Sequence, residues 1–86
     1  MALPVPYHVL KQSHLDMGSA DDSYWHRTTA IILSLRSNIM HEDFPATDSN
    51  QLKQQWLWDS QMVLEKEEDH GLAGLARQHY VRVGRV

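Results

Sequence analysis

The segment from Gln51 to Leu64 carries apolar side chains on three sides of one predicted helix. At about 100° per residue these side chains fall into three stripes: Leu52, Trp56 and Val63; Leu57 and Leu64; Trp58 and Met62. A helix that is apolar on several sides has to be covered from several directions. The first stripe can pack on a neighbouring helix, and the other two need separate cover. We expect the third stripe to be the one least covered from within the chain.

A second amphipathic pattern precedes this segment and predicts a helix over about residues 22–41. Its apolar positions follow one another at steps of three and four residues, as one face of a helix requires: Trp25, Thr28, Ile32, Leu35 and Ile39. Asp22 suits the positive end of the helix dipole, and Pro45 excludes helical geometry at Phe44. The next helix is expected to begin near Ser49. The short link between the two favours an antiparallel hairpin.

The acidic run at residues 65–69 allows two interpretations of where the second helix ends. Acidic side chains near the carboxyl end of a helix oppose its dipole, so we expect the chain to stay helical beyond this run. Either the helix of about residues 49–69 continues to about residue 80, or a new helix starts with Asp69 as its cap.

Both ends of the chain are predicted to be extended. Pro4 and Pro6 exclude a helix interior in the first part of residues 1–18. Apolar and other residues alternate over residues 5–9, which is a weak strand pattern. The tail at residues 81–86 alternates as well and is predicted to form a short strand or an arm.

Together these elements predict a mainly α fold in one small domain, residues 1–86. A chain of 86 residues buries only about 60–65% of the surface that its unfolded form exposes, so a partner is expected to complete the core. We predict a homodimer or higher oligomer that packs helical hairpins into a bundle. The side chains expected at its interface are Leu57, Trp58, Met62, Leu64, Leu72 and Leu75.

The composition excludes several classes of protein. The chain has no cysteine, which rules out disulfide bridges and thiolate metal ligands. Its first residues lack the basic and then apolar pattern of a signal peptide. The longest apolar run, residues 30–33, is far shorter than the ~20 residues that span a bilayer. We therefore expect a cytoplasmic protein that does not associate with a membrane.

Three arginines near the end of the chain, Arg77, Arg82 and Arg85, suggest a nucleic-acid-binding regulator as one alternative. An arm that carries arginine can reach phosphates along a groove of DNA. The net charge of −3 and the acidic run at residues 65–69 oppose this interpretation, because nucleic-acid binders usually carry a basic surplus. Nucleic acid is therefore the less favoured partner.

Glu67 and His70 are the best candidates for metal ligands. At i and i+3 of one helix, a carboxylate and an imidazole face the same side, as in the half-motif of di-iron carboxylate bundles. Two hairpins that dimerise through such helices would resemble half-ferritin proteins in outline. Those sites need a further inward-facing carboxylate, and the first helix has no acid between Tyr24 and Met40. An assembly that binds iron or another divalent metal is the second alternative, and the main expectation is a protein without a cofactor.

No residue set matches a catalytic motif. The chain has no cysteine nucleophile, no G-x-S-x-G segment and no phosphate-binding glycine loop. We expect a protein that is not an enzyme. Its expected role is that of a small accessory or regulatory subunit, in contact with another copy of itself or with another protein.

Overall fold

The computed structural model of the chain describes residues 3–15, 22–45 and 49–85, with the backbone alone for residues 22–25. These residues form four helices: α1 (Tyr7–Leu15), α2 (Asp22–Met40), α3 (Asn50–Lys66) and α4 (His70–Gly84). No strand occurs among the residues just given. The mainly α class is therefore confirmed, and the strands predicted near the two ends of the chain are wrong.

Helix α1 occupies a segment for which the sequence predicted an extended chain. Pro6 stands immediately before it, and its carbonyl accepts hydrogen bonds from the backbone N–H groups of Val9 and Leu10, both at 3.1 Å. Proline is compatible with this place because the first N–H groups of a helix have no partner inside it. Leu10 and Ser13 are buried, so packing holds a helix that its local pattern does not predict. Residues 1, 2 and 16–18 of the predicted extended segment lie outside the described part of the chain.

Helix α2 covers the predicted residues and ends in a Schellman motif. The N–H of Asp43 donates to the Asn38 carbonyl at 2.9 Å, and the N–H of Glu42 donates to the Ile39 carbonyl at 3.4 Å. These bonds satisfy carbonyls that the end of a helix would otherwise leave free. The motif needs a residue in the left-handed conformation, and Glu42 adopts it with a φ of 54°. The chain therefore turns sharply after α2 at a residue that is not glycine.

Helix α3 begins where predicted and ends earlier than predicted. The hydroxyl of Ser49 accepts a hydrogen bond from an N–H of the first turn at 3.2 Å and so caps the helix. A second Schellman motif, with Glu68 at a φ of 62°, closes the other end. Asp69 then caps α4 by accepting a hydrogen bond from its first turn at 3.4 Å. The prediction that a new helix starts with Asp69 as its cap is confirmed. The continuous helix to residue 69 or beyond is wrong, because these two motifs separate α3 from α4.

Helix α4 includes most of the tail that was predicted to be a strand or an arm. Its inner side is buried at Ala73, Ala76 and His79, and Tyr80 and Val83 pack against the core beside them. This spacing of three and four residues is typical of a helix. It outweighs the short alternation of valine and arginine in the tail. Residue 86 lies outside the described part of the chain.

The most extensive helix pair is α3 with α4. The two run antiparallel, because the Gln54 side chain near the start of α3 donates to the Tyr80 carbonyl near the end of α4 at 3.1 Å. Helix α2 packs on α4 and α1, and α1 also packs on α3. The sequence predicted a hairpin of α2 with α3. The main hairpin is instead α3 with α4, because the turn at residues 67–69 folds α4 back onto α3.

Buried apolar side chains from all four helices and from the segment before α1 form one cluster. Its members are Val5, Leu10, Ile31, Leu35, Ile39, Trp56, Leu57, Val63, Leu64, Ala73 and Ala76. Of the stripe predicted on α2, Thr28, Leu35 and Ile39 are buried, and the side chain of Trp25 lies outside the description. Among the described residues, no helix combines the length and the apolar character needed to cross a membrane.

Candidate interaction surface on helix α3

The two sides of α3 differ in burial. The apolar side chains buried by the other helices are Trp56, Leu57, Val63 and Leu64. On the opposite side, Trp58 and Met62 keep 43% and 41% of their surface exposed. Leu52, which was expected to share a covered stripe with Trp56, is 55% exposed. The other helices therefore bury the inner side of α3 only from Trp56 onward.

The exposed side of α3 has a regular pattern of its own. Five residues, which we call the outer stripe, follow one another at steps of four and three: Gln51, Gln55, Trp58, Met62 and Glu65. Such steps align side chains along one face of a helix, as at the contact positions of paired helices. The two large apolar side chains lie in the middle of the outer stripe, and polar side chains lie at both ends.

A groove of about 470 Å³ opens between the first half of α3 and the end of α4. Its walls are Gln51, Gln54, Gln55, Trp58 and Tyr80. The rings of Trp58 and Tyr80 pack together with their centroids 5.6 Å apart, and the Gln54 amide is held by the Tyr80 carbonyl. Both contacts hold α4 against α3, so the groove is formed without any bound partner.

Tyr7 of α1 lies at the border of the outer stripe, close to Asp59 of α3. The Gln55 amide donates to the same Asp59 carboxylate at 3.4 Å. Burial, and then the negative charge of Asp59, raise the pKa of Tyr7 above its usual value of 10.0. The hydroxyl is therefore neutral near pH 7, and α1 adds an uncharged aromatic edge to the surface.

The six side chains predicted at an interface have different environments. They are Leu57, Trp58, Met62, Leu64, Leu72 and Leu75. The two leucines of α3 are completely buried, and the two of α4 are half-buried against the core. A partner cannot reach the α3 leucines while the fold is intact, because α4 folds back onto their side of the helix. Of the six, the tryptophan and the methionine stay exposed.

Glu67 and His70, the predicted metal ligands, lie at the turn between two helices. Glu67 ends α3 and His70 begins α4, so the i, i+3 geometry on one helix is absent. The Nδ1 atom of His70 instead lies 3.1 Å from the carboxylate of Glu65. No group of three or more potential metal ligands occurs within residues 3–15, 22–45 and 49–85. The metal hypothesis therefore loses the geometry from which it was inferred.

The three arginines proposed for nucleic acid belong to α4 and its C-cap instead of an extended arm. Arg77, Arg82 and Arg85 are all exposed. Arg82 forms an ion pair, with its Nη2 atom 3.1 Å from the Glu42 carboxylate. Because that pair offsets one positive charge, the basic surface is smaller than the sequence alone suggested.

His79 is a buried polar residue for which the sequence predicted no role. Its Nε2 atom lies 3.2 Å from the Ile39 carbonyl oxygen, which can only accept, so this nitrogen donates. Nδ1 then accepts from Nη2 of Arg82 at 3.1 Å. The Phe44 ring packs edge-on, with 5.4 Å between ring centroids. Both ring nitrogens have partners, so His79 links α2 to α4 as part of the structure.

The sequence identified the centre of the outer stripe and missed the groove beside it. Gln51 and Gln55 continue the steps of four and three from Trp58, and this spacing could have been used to find them. No spacing in the sequence connects Tyr80 with Trp58. Only the position of α4 brings its ring to Trp58.

Comparison of the chain with protein-family models, curated proteins and solved structures gives no match. The surface around the outer stripe of α3 is the feature of the described residues that bears on function. That surface combines two exposed large apolar side chains with a preformed groove and a polar border.

Proposed function

We propose that the protein is a small, non-catalytic accessory or regulatory subunit that binds another protein chain through the outer stripe of α3. The observation that carries this proposal is the exposure of Trp58 and Met62 in the middle of that stripe. Large apolar side chains that lie together on a surface mark interaction sites. Tryptophan is also enriched among the residues that dominate binding energy.

The border of the outer stripe supports the same function. Protein interfaces combine an apolar centre with a polar rim. Gln51 and Gln55 supply such a rim at one end of the stripe, and Glu65 supplies it at the other. A partner that packs here would cover Trp58 and Met62 and would extend the α3–α4 pair into a larger helical bundle.

Trp58→Ala tests this function directly. Because the side chain is partly exposed, the variant should keep the far-UV circular dichroism spectrum of a folded helical protein. In the complex that the unmodified protein forms when isolated, we expect Trp58→Ala to release the bound chain, so that native mass spectrometry and size-exclusion chromatography give the mass of a single chain.

Leu33→Ala is the matched control. Leu33 is an apolar side chain on α2 with 58% exposure, and its removal takes apolar area from a different face. The control should assemble like the unmodified protein. A Trp58→Ala variant with unchanged mass and an unchanged bound partner would contradict the proposed function.

A further inference from the structure

The groove and the charges of α3 specify a partner more closely than the proposed function does. Resting on that function, we infer that two copies of this chain pair through α3 in an antiparallel arrangement, with a two-fold axis beside Trp58. Trp58 then packs on Trp58 of the partner subunit. Met62 enters the groove of the partner subunit, and the symmetry repeats this contact.

The groove has the form of the hole that receives a side chain when two helices pair. In knobs-into-holes packing, each contact side chain enters a hole made by four residues of the facing helix. Such a hole consists of residues at i, i+3, i+4 and i+7, which surround one position on a helix surface. Gln51, Gln54, Gln55 and Trp58 have this spacing and line the groove. Tyr80 of α4 forms its remaining wall.

The position of the groove selects the register of the pair. With the axis beside Trp58, residues equally distant from it along the helix face each other. Met62 lies opposite the partner's Gln54, and Glu65 lies opposite the partner's Gln51. Met62 is therefore the side chain that reaches the groove, and each copy makes the same contact, as an isologous dimer requires. The flexible thioether of methionine fills an irregular hole well.

The charges on α3 favour the antiparallel pair over a parallel one. Parallel pairing would place Glu65 against the partner's Glu65 and Lys66 against the partner's Lys66, and like charges across an interface oppose binding. Antiparallel pairing instead brings Glu65 to the amino-terminal end of the facing α3. The positive end of the helix dipole attracts a carboxylate there.

A stable pair has to draw on surface beyond α3 alone. A stable interface buries about 800 Å² on each partner, which is roughly a seventh of the 5546 Å² accessible surface of this chain. Helix α3 supplies the centre of that area. Tyr7 of α1 and Tyr80 of α4, both half-buried, extend it on the two flanks.

Disulfide cross-linking can test the arrangement without interference, because the chain contains no cysteine. One protein carries Gln51→Cys and a second carries Glu65→Cys, and both keep Trp58 and Met62. Under mild oxidation of the mixture, the mixed disulfide should form at least about tenfold faster than either variant links to itself, because antiparallel pairing raises the local concentration of the two thiols. Intact-mass spectrometry distinguishes the three products.

Gln78→Cys, at an exposed position of α4, gives the rate of linking by random collision. A mixed disulfide that forms no faster than the Gln78→Cys disulfide overturns the inference. Preferential self-linking of the Glu65→Cys variant overturns the antiparallel arrangement. If Trp58→Ala still abolishes assembly while cross-linking stays at the collision rate, the proposed function stands and its partner is a different protein. If neither experiment shows an effect, both proposals are wrong.

Met62→Glu, added to both cysteine variants, tests the contact with the groove. Met62 is 41% exposed, so the fold should persist, as circular dichroism will verify. We expect the rate of mixed disulfide formation to fall to that of Gln78→Cys, because a carboxylate would have to enter a neutral groove. A rate that Met62→Glu leaves unchanged would contradict the role assigned to Met62.

Discussion

Trp56 and Trp58 stand close together on the same helix and have opposite surroundings. Trp56 is 1% exposed, its indole N–H donates to the Val5 carbonyl at 3.1 Å, and its ring lies 5.9 Å from that of Phe44. Trp58 is 43% exposed and packs on Tyr80. Residue type and local secondary structure are the same for the two. The difference comes from long-range contacts, because the segment before α1 and the segment after α2 both contact Trp56.

The two sides of α3 therefore differ in the parts of the chain that they contact. The inner side, with Trp56, joins distant segments of the chain and supports the fold. The outer side, with Trp58, keeps apolar surface exposed. Under the proposed function, substitutions on the two sides should therefore separate the stability of the fold from the binding of a second chain.

Replacing each tryptophan with alanine should reduce the free energy of unfolding by very different amounts. Trp56→Ala removes a buried ring and its hydrogen bond and leaves a cavity, at a cost of about 3–5 kcal/mol. A domain of this length has a free energy of unfolding of about 4–13 kcal/mol in total, so this variant should be marginally stable or unfolded. Trp58→Ala should cost about 1 kcal/mol, because it mainly removes one aromatic contact. Urea unfolding followed by far-UV circular dichroism measures both free energies.

The effect of Trp58→Ala on stability should also depend on protein concentration. If the outer stripe pairs two copies, mass action stabilises the unmodified protein more as its concentration rises. The apparent cost of Trp58→Ala should then grow with concentration. An equal loss of stability for Trp56→Ala and Trp58→Ala at low concentration would show that Trp58 belongs to the core.

Helix boundaries could be predicted where short-range chemistry is strong. The oxygen acceptors of Ser49 and Asp69 bind nearby N–H groups, so the sequence alone indicates two helix starts. Helix α1 lacks such a signal. Residues 5–9 alternate like a strand, and the helix depends on the burial of Leu10 by distant parts of the chain. Tertiary contacts therefore override the local pattern in that segment.

The candidate surface could be predicted only in part. Leu57 and Trp58 are both large apolar residues, and the sequence shows that α3 carries more such residues than one neighbour can cover. It does not show which will stay exposed. That outcome depends on the turn at residues 67–69, which folds α4 onto the side of Leu57. The same turn brings Tyr80 to the groove.

Glu68→Gly tests the turn that places α4 on the inner side of α3. Glu68 has a φ of 62°, and a residue with a Cβ atom pays roughly 1 kcal/mol or more for this left-handed conformation. Glycine adopts it without that cost and is the usual residue at this place in a Schellman motif. We expect the free energy of unfolding, measured in urea, to rise by about 0.5–1 kcal/mol.

Glu42→Gly is the matched substitution at the end of α2, where φ is 54°. Glu42 also contacts Arg82 at 3.1 Å, and an exposed ion pair contributes about 0–1 kcal/mol. The gain at Glu42 should therefore be smaller than the gain at Glu68, or absent. Equal gains would show that the ion pair adds no stability, and a loss at Glu68 would contradict the explanation by backbone strain.

Tyr7 lies at the border between the two sides of α3. Its ionisation is expected to change the free energy of unfolding less than the substitutions above. Burial and the Asp59 carboxylate raise the pKa of Tyr7 above its usual value of 10.0. Between that value and the raised pKa, the folded protein keeps a proton that the unfolded chain has lost. The free energy of unfolding should therefore fall as the pH rises above about 10. Tyr7→Phe cannot ionise and should lose less stability over the same range.

Urea unfolding of both proteins at roughly pH 9 and pH 11 measures this difference. The comparison with Tyr7→Phe subtracts the contributions of the other tyrosines and of the lysines, which both proteins share. Asp59→Asn should reproduce part of the effect, because it removes the negative charge and keeps the burial of the ring. If the unmodified protein and Tyr7→Phe lose equal stability, Tyr7 is not held against Asp59. Helix α1 would then leave the flank of Trp58 open, and the exposed side of α3 would be wider than the outer stripe.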